Sequence, residues 1–258
     1  MIQGLEKFSE YFKGFEDRYT LIGGIACCLS MEEADLDFRT TKDLDIVLST
    51  EALDAEFVQK FWDFVKEGEY EYQEKSTGDK QFYRFSKPVS DEYPFMLELF
   101  SKQPEEVLLE HDTGLTPIPV DDDVSSLSAI LLDEDYYQCI KEGTEIIEGV
   151  PVLSVEYIIP FKMRAFIDLS KRKEQGEKVD SSKINKHKKD VLKISQLLSP
   201  TQTVNVSNEI KQHMCEFINA VKSEEIIMKD IGLAAFTLER IIEVFSNVYG
   251  LTLESEDK

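Results

Sequence analysis

The chain has 258 residues, of which 42% are hydrophobic and 31% are charged, and this composition excludes a fibrous or low-complexity protein. The 51 acidic residues outnumber the 29 basic ones, giving a formal net charge of −22. A field of that sign repels phosphate backbones, so the molecule as a whole is not expected to coat nucleic acid. Apolar runs of about 18 residues are absent, which predicts no membrane-spanning helix. With no signal-peptide pattern and no disulfide or metal pattern among the cysteines, we expect a cytoplasmic protein that does not contact a membrane.

The first part of the chain predicts alternating helices and strands. Apolar residues recur at helical spacing in some segments and alternate with polar residues in others, and Gly or Pro separates several of them. The predicted elements are, in order, a helix over residues 5–15, a strand over 19–22, a helix over 25–33, a strand over 43–48, an amphipathic helix over 52–66, a hairpin of 70–75 with 81–86, a strand over 95–101, a strand over 126–132, and a helix after Asp133.

From Ser154 onward the pattern predicts helices only. Ser154 is a favourable N-cap for a helix that continues to Arg172 despite Pro160, and a second helix is predicted over residues 186–198. Strands followed by a run of helices are typical of the α+β class. We therefore predict a small mixed β-sheet domain with helices over residues 1–153 and a helical domain over residues 154–258.

Two acidic residues on the strand 43–48 form the clearest candidate site. Side chains two apart on a strand point to the same face, about 7 Å from each other, so Asp43 and Asp45 lie together. Their repulsion is relieved by a cation, and oxygen ligands with open positions suit Mg²⁺. Glu98 is the candidate third carboxylate, because it is the one acid in an apolar predicted strand. Asp91, Glu92 and Glu105 are the alternatives to Glu98.

Two further features fit a phosphate site beside these acids. Gly23-Gly24 lies between a predicted strand and a predicted helix, where backbone N–H groups can approach phosphate oxygens. Arg39 and Thr40 belong to a polar segment directly before the acidic pair. Residues 160–193 contain eleven Lys or Arg against five acids, which fits either a solvated helical pair or a second source of positive charge near phosphates.

This ordered set resembles the nucleotidyltransferase superfamily that includes DNA polymerase β. Within it, LIGGIACCL followed by RTTKDLDIVL is similar to the AbiEii-type branch, which contains toxins of toxin–antitoxin systems and uncharacterised relatives. The resemblance continues into the helical part, at Lys162 in IIPFKMRAFIDL and at Lys189-Asp190 in KHKKDVLKI. It spans residues 20–195 and implies a nucleotidyltransferase-like domain in the first 153 residues.

The resemblance implies a role for each of these residues. Gly23 and Gly24 would hold the β- and γ-phosphates of a nucleoside triphosphate, together with Arg39 and Thr40. Two Mg²⁺ ions would be bound by Asp43, Asp45 and Glu98, and Glu98 would also serve as base for the acceptor hydroxyl. In the helical part, positive charge for the phosphates would come from Lys162 and Lys189. Asp190 would brace the site through a Lys or Arg, or approach it directly.

Three interpretations follow from these features. The first is an active Mg²⁺-dependent enzyme that transfers a nucleotide to a tRNA end, a protein hydroxyl or a small molecule such as an aminoglycoside, with a cognate antitoxin as partner if it is a toxin. The second is an inactive nucleotidyltransferase-like fold that binds a nucleotide or a partner. The third is an α+β scaffold in which the motifs coincide by chance. Zinc is not expected, because the three histidines lie far apart in sequence.

Overall fold

The computed structural model describes residues 2–49, 54–71, 82–100, 130 and 133–253. Its centre is a mixed sheet of six strands in the order β3-β4-β2-β1-β6-β5. The strands are β1 (Tyr19–Ile22), β2 (Asp43–Leu48), β3 (Phe82–Ser86), β4 (Met96–Phe100), β5 (Thr144–Ile147) and β6 (Val150–Leu153). Strand β2 pairs in parallel with β4 and antiparallel with β1, so the predicted acidic strand is central in the sheet.

Outside the sheet, the described chain consists of helices joined by turns and irregular segments. They are α1 (Leu5–Tyr11), α2 (Gly23–Glu33), α3 (Ala55–Glu67), α4 (Glu134–Gly143), α5 (Val155–Glu174), α6 (Ser181–Ile194), α7 (Asn208–Lys222) and α8 (Leu238–Tyr249), with 3₁₀ turns at Ser195–Leu197 and Met228–Ile231. The described residues after Leu153 contain no strand. The predicted α+β class is therefore confirmed. No helix in the described part of the chain is long and apolar enough to cross a bilayer.

Aromatic packing holds the first helices on the sheet. Asp54 caps α3 by accepting a hydrogen bond of 2.8 Å from the N–H of Phe57. The apolar face of α3 then places Phe57 and Phe64 against Phe12 of the first helical segment, with ring centroids 5.7 and 5.3 Å apart. Tyr19 of β1 stacks on Phe57 at 6.2 Å. These contacts bury the N-terminal segment against the sheet, and offset or tilted aromatic pairs of this kind add to the stabilisation from burial.

Pro160 lies inside α5, as the sequence predicted, and its missing N–H has a structural consequence. A proline cannot bond the carbonyl four residues earlier, which leaves the backbone oxygen of Glu156 without its helical partner. The hydroxyl of Tyr249 donates a hydrogen bond of 2.7 Å to that oxygen. The end of α8 is thereby attached to the first turns of α5.

Several predicted boundaries differ from the structure. Helix α2 begins at Gly23 and not after Gly24, so the glycine pair forms the first turn of the helix. Helix α6 begins at Ser181, five residues early, because Asp180 accepts a hydrogen bond of 2.8 Å from the N–H of Ser182 and caps it. The β5–β6 hairpin was not predicted from the sequence.

Residues 72–81 of the predicted hairpin of 70–75 with 81–86 lie outside the described residues, and its second strand is present as β3. The two arms of this hairpin are joined in the described residues by an isolated bridge between Glu71 and Ser86. Strand β3 pairs antiparallel with β4, the next strand in the chain. The predicted strand over 126–132 also lies outside the described residues, except for Ile130, which is helical.

Candidate active site

Three charged side chains lie side by side across the sheet. In the parallel ladder of β2 and β4, Asp45 is opposite Glu98, and in the antiparallel ladder of β3 and β4, Glu98 is opposite Arg84. Residues opposite each other in adjacent strands share a face of the sheet. The structure therefore forms a row of acid, acid and base across β2, β4 and β3, and it places Glu98 next to Asp45.

Glu98 is the buried member of this row. Only 5% of the residue is exposed, and Arg84 donates to Oε1 from Nε at 2.6 Å while Nη2 lies 2.5 Å from the same oxygen. Burial first, and then the neighbouring charge of Asp45, raise the pKa of Glu98 to about 9 although Arg84 opposes the shift. In the absence of a cation, Glu98 therefore keeps its proton to a higher pH than an exposed glutamate does.

Asp43 lies two residues before Asp45 on the same strand, and both carboxylates border one cavity. Partial burial, followed by the charge of Asp45, raises the pKa of Asp43. Lys186 of α6 is the first of the positive groups that act in the opposite direction. The two aspartates therefore carry negative charge that the protein only partly balances.

The start of α2 approaches these acids closely. Gly23 has φ of +68°, and a Cβ on it would lie 1.9 Å from Oδ2 of Asp45, so only glycine fits there. A Cβ on Gly24 would lie 3.0 Å from Oγ1 of Thr41 and 3.2 Å from a guanidinium nitrogen of Arg39. No side chain of the described residues caps this helix. Its N-terminal N–H groups thus add positive potential beside Asp45.

An ion network around the buried carboxylate of Asp190 connects the segment before β2 to the helices after the sheet. Arg39 donates to both oxygens of Asp190, from Nε at 2.9 Å and from Nη2 at 2.7 Å. Lys162 of α5 donates to Oδ2 of the same carboxylate at 2.8 Å. Burial alone would favour protonation, but Lys162 and Arg39 outweigh it and hold the pKa of Asp190 well below its usual range. Asp190 therefore remains ionised and fixes both cations.

The acids, the start of α2 and the cations line a single cavity of about 160 Å³. The acids of this cavity come from β2 and β4 and the glycines from α2, and β6 and α5 contribute an apolar wall. The apolar groups on that wall are Leu153, Ile158, Phe161 and Ala165. An anionic ligand with an apolar portion would match such a cavity.

Most of the residues singled out from the sequence meet at this cavity. Those that line it are Gly23, Gly24, Arg39, Asp43, Asp45, Glu98 and Lys162. Asp190 lies behind the wall and contacts two of them. Thr40 and Lys189 are exposed and do not line the cavity, while Thr41, one residue after Thr40, does.

The sequence analysis missed three charged or titratable groups of this cavity. Arg84 is the charged residue between Tyr83 and Phe85 in its strand. That position alone marks it as a candidate, but its role depends on the pairing of β3 with β4. Lys186 and His187 precede Asp190 by four and three residues, which places them near it on a helix. Burial, and then the charges of Lys162 and Lys186, hold the pKa of His187 well below its usual value, so this imidazole is neutral at neutral pH.

The donor set fits a hard divalent cation. Asp43, Asp45 and Glu98 offer only carboxylate oxygens, which Mg²⁺ prefers, and a cation among them would relieve the repulsion that raises the pKa of two of them. In the part of the chain that is described, no three His, Cys, Asp or Glu side chains are arranged as ligands of one ion. Glu98 is bonded to Arg84 instead.

The candidate site is defined by its own residues: a row of acids against an uncapped helix start, beside an Arg–Asp–Lys network with a buried carboxylate. No protein-family model matches the sequence, and no curated protein matches it.

Proposed function

We propose that this chain is a Mg²⁺-dependent nucleotidyltransferase, which transfers the nucleoside monophosphate of a triphosphate to an acceptor hydroxyl. The observation that carries the proposal is the single cavity that Asp43, Asp45 and Glu98 share with the glycine start of α2. Carboxylates for a cation and N–H groups for phosphates are both needed when a metal-bound triphosphate is the substrate. The resemblance to the superfamily of DNA polymerase β points to the same chemistry.

The phosphate-binding groups of the proposal come from three elements. The N–H groups at Gly23 and Gly24 would donate to the phosphates of the nucleotide. Lys162 and Lys186 line the same cavity and would offset the phosphate charge. Arg39 is held by Asp190 and lies 3.2 Å from the Cβ position of Gly24, so it would steady the start of α2.

The carboxylates would orient the reacting groups. Asp43, Asp45 and Glu98 would hold Mg²⁺, which polarises the phosphates and lowers the pKa of a bound hydroxyl. In the reaction the acceptor oxygen forms a bond to the α-phosphorus, the bond from that phosphorus to the bridging oxygen breaks, and pyrophosphate leaves. Glu98 would take the proton of the acceptor hydroxyl. The apolar wall with Phe161 would exclude water from the nucleoside.

A second candidate function is a binding module of the same fold without turnover. The contact between Glu98 and Arg84 favours it, because a carboxylate that stays bound to an arginine cannot complete a two-metal site. In that case a nucleotide or protein partner would bind at Asp43 and Asp45, and no transfer would follow.

Thermal unfolding with each ribonucleoside triphosphate, with and without Mg²⁺, tests the proposal. A nucleotide at 100 times its dissociation constant stabilises the fold by about 2.7 kcal/mol. The expected result is a Mg²⁺-dependent rise in Tm that is lost in the double variant D43N/D45N. Asp37→Asn, at an exposed position of the segment before β2, is the matched control and should keep the rise.

Turnover separates the two candidates. Release of pyrophosphate from the stabilising nucleotide, in the presence of tRNA, protein or aminoglycoside acceptors, supports the enzyme. Stabilisation with no release and no labelled product for any acceptor class supports the binding module. A Tm that no nucleotide changes, with or without Mg²⁺, contradicts the enzyme and leaves only the binding of a protein partner from the second candidate.

A further inference from the structure

We propose that Arg84 is a positioning residue that acts as an internal counter-cation. It holds Oε1 of Glu98, and a divalent ion must displace Arg84 before it can bind that oxygen. This inference rests on the proposed function, because it concerns how the same carboxylates come to bind their cation. Through Arg84, strand β3 would then lower the affinity of the site for the divalent ion, in addition to its place in the sheet.

The contact between Arg84 and Glu98 is short and involves two nitrogens. Two nitrogens of Arg84 converge on one oxygen of Glu98, Nε at 2.6 Å and Nη2 at 2.5 Å. Charge-assisted contacts of this length are among the strongest hydrogen bonds in proteins. The Oε1 atom is therefore committed to the guanidinium, and a cation that uses it must break that contact.

Both side chains of this contact are largely buried. The side chain of Arg84 is 13% exposed and that of Glu98 is 6% exposed, so water screens the charge of the guanidinium weakly. Exposed pairs such as that of Lys171 with Glu216 contribute little by comparison. A cation that approaches Glu98 is therefore repelled by the guanidinium of Arg84, whose charge is only weakly screened.

Arg84 and Asp45 lie on opposite sides of Glu98 in the sheet. Glu98 lies between the two in register, with Asp45 on β2 to one side and Arg84 on β3 to the other. A carboxylate in the middle of such a row can serve the guanidinium or a cation beside Asp45. Arg84 also lines the cavity, so its positive charge repels a cation bound there.

Binding of Mn²⁺, followed by electron paramagnetic resonance of the free ion, tests the inference on the full chain near pH 7 without nucleotide. Arg84→Met removes the competing charge and should tighten Mn²⁺ binding about tenfold. Arg84→Lys keeps the charge and should restore an affinity close to that of the unaltered protein. If Arg84 has a purely structural role, Arg84→Met should bind Mn²⁺ no more tightly than the unaltered protein does.

Two controls separate competition at Glu98 from general electrostatics. Lys186→Met removes another positive charge from the same cavity without touching Glu98, and it should change the affinity by less than Arg84→Met. In a Glu98→Gln background, Arg84→Met should have only an effect of the size seen for Lys186→Met. If Arg84→Met does not fold, Arg84→Gln is measured in its place with the same expectation.

The outcomes distinguish this inference from the proposed function. If the unaltered protein binds Mn²⁺ through Asp43 and Asp45, as judged by its loss in D43N/D45N, and the Arg84 variants bind it equally or more weakly, the inference is wrong and the metal site stands. If neither the unaltered protein nor any Arg84 variant binds Mn²⁺, both the inference and the metal-dependent function are wrong. Tighter binding in Arg84→Met that requires Glu98 supports the inference.

Discussion

At the scale of single residues, ionisation of Glu98 destabilises the folded protein when no metal is bound. The pKa of Glu98 is raised from 4.5 to about 9, so the folded state binds this proton over a range where the unfolded chain releases it. The contribution to stability therefore falls as the pH rises from 4.5 to about 9. The amide of Glu98→Gln keeps an oxygen for Arg84 and gives Asp45 a donor, without ionising.

We therefore expect Glu98→Gln to be more stable than the unaltered protein in EDTA at pH 8 to 9 and to differ little near pH 5. The measurement is Tm against pH for both proteins. Glu33→Gln, at an exposed end of α2, serves as the control and should follow the unaltered protein. A pH profile that is the same for Glu98→Gln and the unaltered protein would contradict the assigned pKa.

Gly23 supports the site through its backbone. An alanine there meets two obstacles, a left-handed φ of +68° and an Asp45 oxygen 1.9 Å from the new Cβ. Gly176 has φ of +90° with nothing within 4 Å of a Cβ, so Gly176→Ala should cost only the backbone strain of roughly 1–2 kcal/mol. Gly23→Ala should cost more in urea unfolding and should also remove any Mg²⁺-dependent nucleotide shift. Equal losses of stability would show that Asp45 can move away freely.

At the scale of elements, Asp190 joins the segment before β2 to α5 and α6. Asp190→Asn leaves Lys162, which is 4% exposed, without its counter-charge, and removal of one partner from a buried pair costs about 3–5 kcal/mol. The pKa of Asp190 is lowered in the folded state, so its contribution is present above 3.8 and is lost as the pH falls further. Urea unfolding at pH 7 should show the full loss.

A matched substitution calibrates that loss. Glu216→Gln removes the partner of Lys171, and both side chains of this pair are partly exposed at 34% and 54%. We expect this change to cost about 1 kcal/mol or less. If Asp190→Asn costs no more than Glu216→Gln, the network with Arg39 does not hold the two parts of the site together.

The elements differ in how well the sequence predicted them, for physical reasons. Strand β2 was predictable because its alternation is local, and Glu98 because one acid in an apolar strand needs a partner. Arg84 was missed because its role depends on which strand lies beside β4, which alternation does not specify. The β5–β6 hairpin turns at Glu148 and Gly149, both with positive φ, and the short strands beside that turn are too brief for a clear period.

The helical contribution to the site was only partly predictable. The Lys162 and Asp190 positions came from resemblance, and the structure brings them into one ion network with Arg39. Lys189 was selected with Asp190, as the Lys-Asp element of the same resemblance. On a helix, adjacent residues point in directions about 100° apart, so Lys189 does not line the cavity, whereas Lys186, four residues before Asp190, does, although both residues are exposed.

At the scale of the whole molecule, the buried apolar residues form one continuous cluster. It extends from Ile2 through the sheet to Leu251 near the end of α8, and α5 contributes to it while also lining the cavity. The sequence predicted separate mixed and helical domains divided at residue 153. A shared core makes independent unfolding of these two parts unfavourable, because each would expose the apolar face that covers the other.

We therefore expect one cooperative unfolding transition. Trp62 is the single tryptophan of the chain and lies buried in α3, so its fluorescence reports the first part, while far-UV circular dichroism is dominated by the helices and so includes α5 to α8. In a urea titration the two signals should give the same midpoint and slope. A fluorescence transition that precedes or follows the loss of helix would mean that the two parts unfold separately. The cavity between sheet and α5 would then be able to open without unfolding of the sheet, and nucleotide binding would shift only one of the two transitions.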